Sequence, residues 1–106
     1  MAWLYLVLAG LLEIGWAIGL KYTDRWTKLG PSVATGITMV ASFWLLTLAL
    51  RTLPVGTAYA VWTGIGAVGT VLIGMLFLGE PVDILRIGCI GLIIAGVVGL
   101  RVVAAH

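Results

Sequence analysis

Four long apolar runs joined by connections of a few residues leave this chain very few ways to fold. They cover about residues 2–20, 31–50, 54–78 and 84–100. A helix of roughly 20 apolar residues crosses a ~30 Å hydrocarbon layer, and each run reaches about that length. Lys21 closes the first run, and the polar segment 22–28 follows it. Gly30 and Pro31 open the second with a first-turn proline, and Arg51 ends it. Pro54 opens the third, which Gly79, Glu80 and Pro81 stop. Asp83 is placed to cap the fourth, which carries Arg86 in its first turn and ends before Arg101. The expected fold class is therefore an all-α integral membrane protein, a single domain of four transmembrane helices over residues 1–106.

Composition agrees and excludes other classes. Hydrophobic residues make up 62% of the chain, charged residues 9%, and mean hydropathy is +1.22, whereas a soluble domain carries about 25% charged residues. Six basic and four acidic residues are too few and too scattered for a nucleic-acid surface, so no nucleic-acid partner is expected. The lone Cys89 has no disulfide partner within the chain and reads as a small packing residue. The N-terminus lacks the basic region and small-residue cleavage site of a secretory signal, so the first run is expected to remain in the mature protein. Trp3, Tyr5, Tyr22 and Trp26 fall where aromatic belts form.

Glu13 is the exception to the charge pattern. The other nine charged residues lie between the runs or at their ends, whereas Glu13 lies about 15 Å along a helix that starts near Trp3, at the bilayer midplane. A carboxyl group there must hold a proton, a cation or a neighbouring donor. No basic residue stands at a comparable depth. Helical periodicity groups Leu6, Ala9, Gly10, Glu13, Trp16, Ala17 and Leu20 on one face, with Gly10 clearing space a turn before the acid and Trp16 offering an N–H and an aromatic face a turn after it. Ser42, mid-span with Met39 and Leu46 on its face, can donate to a carboxylate or bond back to its own helix. The third run aligns Tyr59, Trp62, Thr63, Gly66 and Thr70, whose two large aromatics each have a polar tip that needs a partner in lipid. Gly64, Gly66 and Gly69 either pack ordinarily or allow a bend.

Gly88, Gly91, Ala95 and Gly99 form a small-residue stripe on the fourth run, suited to close approach by a partner helix or by another helix of the same chain. Two basic residues mark one side of the membrane and four the other, a weak bias under which both orientations can insert. The chain shows no inverted repeat, and two oppositely inserted copies would supply that relation. No metal cluster, phosphate loop or activated nucleophile is present in the sequence, so neither a metal, a cofactor nor enzymatic chemistry is expected.

Over its whole length the chain resembles the small multidrug resistance transporters. The similarity rests on four short-looped spans, the lone acid in the first, and the segment Ala58, Tyr59, Ala60, Val61, Trp62, Thr63, Gly64, Ile65, Gly66 in the third. Glu13 with Trp16, Ala17, Leu20 and Lys21, and Leu53, Pro54, Val55, Gly56, Thr57, Ala58, Tyr59, is similar to the guanidinium-exporter subtype. Quaternary-ammonium exporters of the family usually carry a smaller residue at the position of Trp16. Arg101 departs from the pattern, which has lysine there.

The resemblance implies an antiparallel, dual-topology homodimer in the bacterial plasma (inner) membrane that exports guanidinium and small guanidinyl cations in exchange for protons. Two copies of Glu13 would share one site. Trp16, Ser42 and Trp62 would hold them, Gly10 would keep the site open, and Tyr59 would link the subunits and change partner. Gly64 and Gly66 would form the hinge, and Gly88, Gly91, Ala95 and Gly99 the dimer contact. The alternatives are a promiscuous exporter of quaternary ammonium or aromatic cations, and a non-transporting accessory membrane subunit.

Overall fold

The computed structural model describes residues 2–104 and contains four helices: α1 (Ala2–Tyr22), α2 (Leu29–Ala49), α3 (Val55–Phe77) and α4 (Ile84–Ala104). All four are long and apolar enough to cross a membrane. The chain is a multi-pass membrane protein. Helix α4 continues through Arg101 to Ala104, past the expected end, because nothing after Leu100 breaks a helix and an arginine in the last turn suits the negative end of the helix dipole.

The connections satisfy the helix ends locally. After α1, Thr23 is buried, donates its hydroxyl to the Leu20 carbonyl at 3.1 Å, and accepts at its own carbonyl from the Thr27 and Lys28 amides. Asp24, Arg25 and Trp26 all take positive φ values of 49°, 61° and 69° to make that turn. At the end of α3, Gly79 has φ +71°, a conformation glycine adopts freely, and lets the Leu78 and Glu80 amides both donate to the Gly74 carbonyl. Asp83 caps α4: one carboxylate oxygen accepts from the Arg86 amide at 2.8 Å and the other pairs with the Arg86 guanidinium at 3.3 Å.

The helices lie side by side in the order α2, α1, α3, α4. Helix α1 is central, touching α2 along most of its length and α3 less extensively, and the backbone of α4 rests on α3 alone. The resulting slab measures 46 × 35 × 16 Å. Its core joins Leu6 and Ala9 of α1, Leu46 and Ala49 of α2, and Ala58, Val61 and Trp62 of α3. Three alanines among the seven let the backbones approach, as packing in lipid requires. Leu20, expected on the inward face of α1, is exposed, because the last turn of α1 packs on Thr35 of α2 through its neighbour Gly19 instead.

Helix α4 is the least supported element, with 6% of its span buried against 28% for α3. Ile90, Ile93, Val97 and Leu100 face α3 or the core, and Gly88, Gly91, Ala95 and Gly99 are exposed. A Cβ built on any of those three glycines meets nothing within 4 Å. The stripe therefore makes no packing contact within the described chain. Cys89, expected as a packing residue, is also exposed on this helix.

Candidate functional site

Glu13 stands at mid-height of α1 and turns toward α3, where Gly66 receives its carboxyl group. A Cβ built on Gly66 would collide with the Glu13 carboxyl, so only glycine leaves room for the acid in this position. Gly10, expected to clear that space, instead meets Ile65: a Cβ there would lie 2.7 Å from the Ile65 Cβ. The glycine beside the acid is on the neighbouring helix because a turn of α1 faces a turn of α3. Gly64, expected to form a hinge with Gly66, points to α4, where a Cβ would come within 2.6 Å of Val97. Both glycines thus serve close helix contacts within a continuous α3.

Beside the acid runs a buried hydrogen-bonded chain linking three helices. The Trp62 indole N–H donates to Ser42 Oγ at 3.0 Å, and Ser42 donates in turn to the Ala9 carbonyl of α1 at 2.7 Å. Ser42 therefore neither donates to Glu13 nor bonds back to its own helix. Its hydroxyl hydrogen and the single N–H of Trp62 are both committed, which removes two of the three donors expected for the carboxylate.

The third donor remains. Trp16 Nε1 is buried without a partner, as is Glu13 Oε1. Thr70 Oγ1, one turn beyond Gly66 on α3, is in the same condition. No ion pair involves Glu13 among the described residues, whose salt bridge joins Asp83 to Arg86. The described residues also hold no group of His, Cys, Asp or Glu able to take a metal ion.

A row of aromatic rings connects these groups. Phe43 lies 6.1 Å from Trp16 and 5.3 Å from Trp62 between ring centroids, and Tyr59 lies 5.7 Å from Trp62. Tyr59 is 57% exposed and so adds to the outer surface of the protomer. Phe43 is not among the expected site residues, although its place between Met39 and Leu46 on the face of Ser42 is a usable signal. Chemically, the arrangement offers one acid, one free N–H donor and several aromatic faces at membrane depth. It suits a cation that can both accept charge compensation and lie against rings.

The model of the family described as Small Multidrug Resistance protein matches residues 1–93. Proteins named guanidinium exporter from Yersinia pseudotuberculosis and Citrobacter freundii are each 56% identical over 101 residues, covering 95% of this chain and 97% and 96% of theirs. A guanidinium exporter of Salmonella typhimurium strain LT2 is 54% identical over 106 residues, the full length of both chains.

Proposed function

Because the chain belongs to the small multidrug resistance family, we propose that it exports guanidinium and small guanidinyl cations in exchange for protons. The observation that carries this reading is Glu13: an acid at the membrane midplane, seated against Gly66, with one oxygen unpartnered and no cationic side chain among the described residues to neutralise it. The guanidinium-exporter relatives support the choice of cation.

The chemistry fits that ion. Guanidinium is planar, permanently charged at physiological pH, and presents N–H pairs that a carboxylate accepts in parallel. Trp16 and the Phe43–Trp62–Tyr59 row supply flat faces for a flat cation. The Ser42 bridge holds Trp62 in place on α3 against α1, so that the rings keep their positions whether the site is filled or empty.

The working unit is an antiparallel homodimer of two oppositely inserted copies. One protomer is a slab only 16 Å thick, about the width of two packed helices, which leaves little room for a path within it. Two features support pairing: the exposed small-residue stripe of α4 and the exposed Tyr59. The two Glu13 carboxylates then compensate a single cation. When it leaves, protons replace it on the same oxygens, and the dimer returns in that form. Mutually exclusive occupancy by cation or proton is sufficient for antiport.

Reconstitution of the purified chain alone into liposomes tests the proposal. A pH gradient should drive guanidinium uptake against its concentration gradient, and guanidinium should drive proton movement in return. Absence of both fluxes from correctly inserted protein would overturn it, and equal transport of quaternary ammonium ions lacking N–H donors would overturn the assignment of the cation.

A further inference from the structure

Over α3, an apolar groove runs between α1 and α4. Two clefts of about 330 and about 300 Å³ make it continuous, because both are lined by Ile65, Val97 and Val98. The first reaches to Ile14 and Ile94 near the membrane midplane, and the second opens at Trp3 and Arg101. Ile14 and Gly69 place it next to the Glu13 seat, but neither cleft is lined by Glu13, Trp16, Ser42, Tyr59, Trp62 or Gly66. The groove is therefore separate from the proposed transport site.

We propose that this groove binds one acyl chain of an anionic phospholipid whose phosphate pairs with Arg101. Length supports this occupant. Along α1 the groove runs from Ile14 to Trp3, about 16 Å at the rise of a helix. That matches the depth of one leaflet, about half of a ~30 Å hydrocarbon layer.

Charge supports it too. The Arg101 guanidinium lies 4.8 Å above the Trp3 ring, which fixes it at the mouth of the groove. The ring covers one face of the guanidinium and leaves its in-plane N–H donors free for a phosphate. No carboxylate among the described residues pairs with it. The same end of the bundle carries Arg51, at a cleft that also includes Trp3, while Asp24, Glu80 and Asp83 all lie at the opposite end. A lipid seated here fills the space between α1 and α4, whose backbones do not touch, and thereby supports the least buried helix of the fold.

The test uses the full chain in phosphatidylcholine bilayers containing a minor fraction of phosphatidylglycerol with a photoactivatable group on one acyl chain. Cross-links are mapped by mass spectrometry, a readout independent of transport. They should fall at Ile14, Val68 and Ile94, and excess unlabelled phosphatidylglycerol should suppress them where phosphatidylcholine does not. R101Q should lower their yield about fivefold, the effect of one basic side chain at an anionic surface, and R101K should retain most of it. V98W, which fills the groove, should remove them while leaving the cross-links to the exposed Ile37 and Val40 of α2 intact, which verifies insertion. Equal competition by phosphatidylcholine, or an R101Q yield unchanged from the parent, would reduce the groove to ordinary lipid contact and overturn the proposal. Cross-links absent from the groove but present at α2 would show it closed by a second copy of the chain, and would overturn it as well.

Discussion

Two glycines facing the same pair of helices separate stability from function at single positions. At Gly10 a new methyl group meets the Ile65 Cβ, an atom tied directly to its backbone, so the helices must move apart. Gly10→Ala should therefore lower thermal stability by about 1–3 kcal/mol, the usual effect of overpacking, measured by unfolding in detergent. At Gly66 the methyl group meets the end of the Glu13 side chain, which can swing away. Gly66→Ala should leave the unfolding midpoint close to that of the parent while guanidinium binding falls at least tenfold, because the carboxylate leaves its seat. A large loss of stability without loss of binding would remove Gly66 from the site.

Glu13→Gln should abolish coupled transport while the protein still inserts and folds. Glutamine keeps the shape and hydrogen-bonding capacity but holds neither a negative charge nor a titrating proton. The sign of the pH effect follows from which form binds. The carboxylate form accepts the cation and the protonated form does not, so binding by the parent should weaken as pH falls and should be flat across pH in the mutant. Isothermal titration at several pH values reads both, and proton-coupled flux through Glu13→Gln would return Glu13 to a purely structural role.

Among the elements, α3 and α4 show how small residues serve different ends. Helix α3 spends four of its five glycines inward, all but Gly56: Gly64 on α4, Gly66 and Gly69 on α1, Gly74 beneath the Glu80 carboxyl. Helix α4 does the reverse, with glycines that touch nothing in the protomer. Ala95→Leu should accordingly leave the unfolding of the protomer unchanged but weaken association between copies, by about the 1–3 kcal/mol of a core overpacking. Cross-linking of the reconstituted protein over a range of lipid-to-protein ratios measures this. Unaltered association would place the dimer contact elsewhere on the slab.

For the whole molecule, the charges outside the membrane decide little about orientation. The end carrying Arg51 and Arg101 has two basic side chains and the other end four, three of its neighbours being acidic. Both orientations should therefore be found in one membrane. A single cysteine placed after α4 in a Cys89→Ser background should react with impermeant reagents from both faces. Labelling confined to one face would exclude the antiparallel homodimer.

What the sequence determined by itself was whatever depends on solvent alone. Runs of apolar residues of bilayer length must become helices, since no other local structure satisfies its backbone in lipid, and the isolated acid at mid-depth must be functional or paired. Pro31, Pro54, Gly79 and Asp83 marked the helix ends because each acts through its own backbone or its nearest turn. The family, too, was legible, as a pattern of residues along the chain. Partners across helices were not. Helical periodicity tells which residues share a face, but the rotation and height of the facing helix decide what each one meets. Only the tertiary structure put Gly66 rather than Gly10 beside Glu13, gave the Ser42 hydroxyl to Ala9, and joined Trp16 to Trp62 through Phe43. It also left the α4 stripe without a partner in its own chain, because α4 turns Ile90, Ile93 and Val97 toward α3 and so points its glycines away.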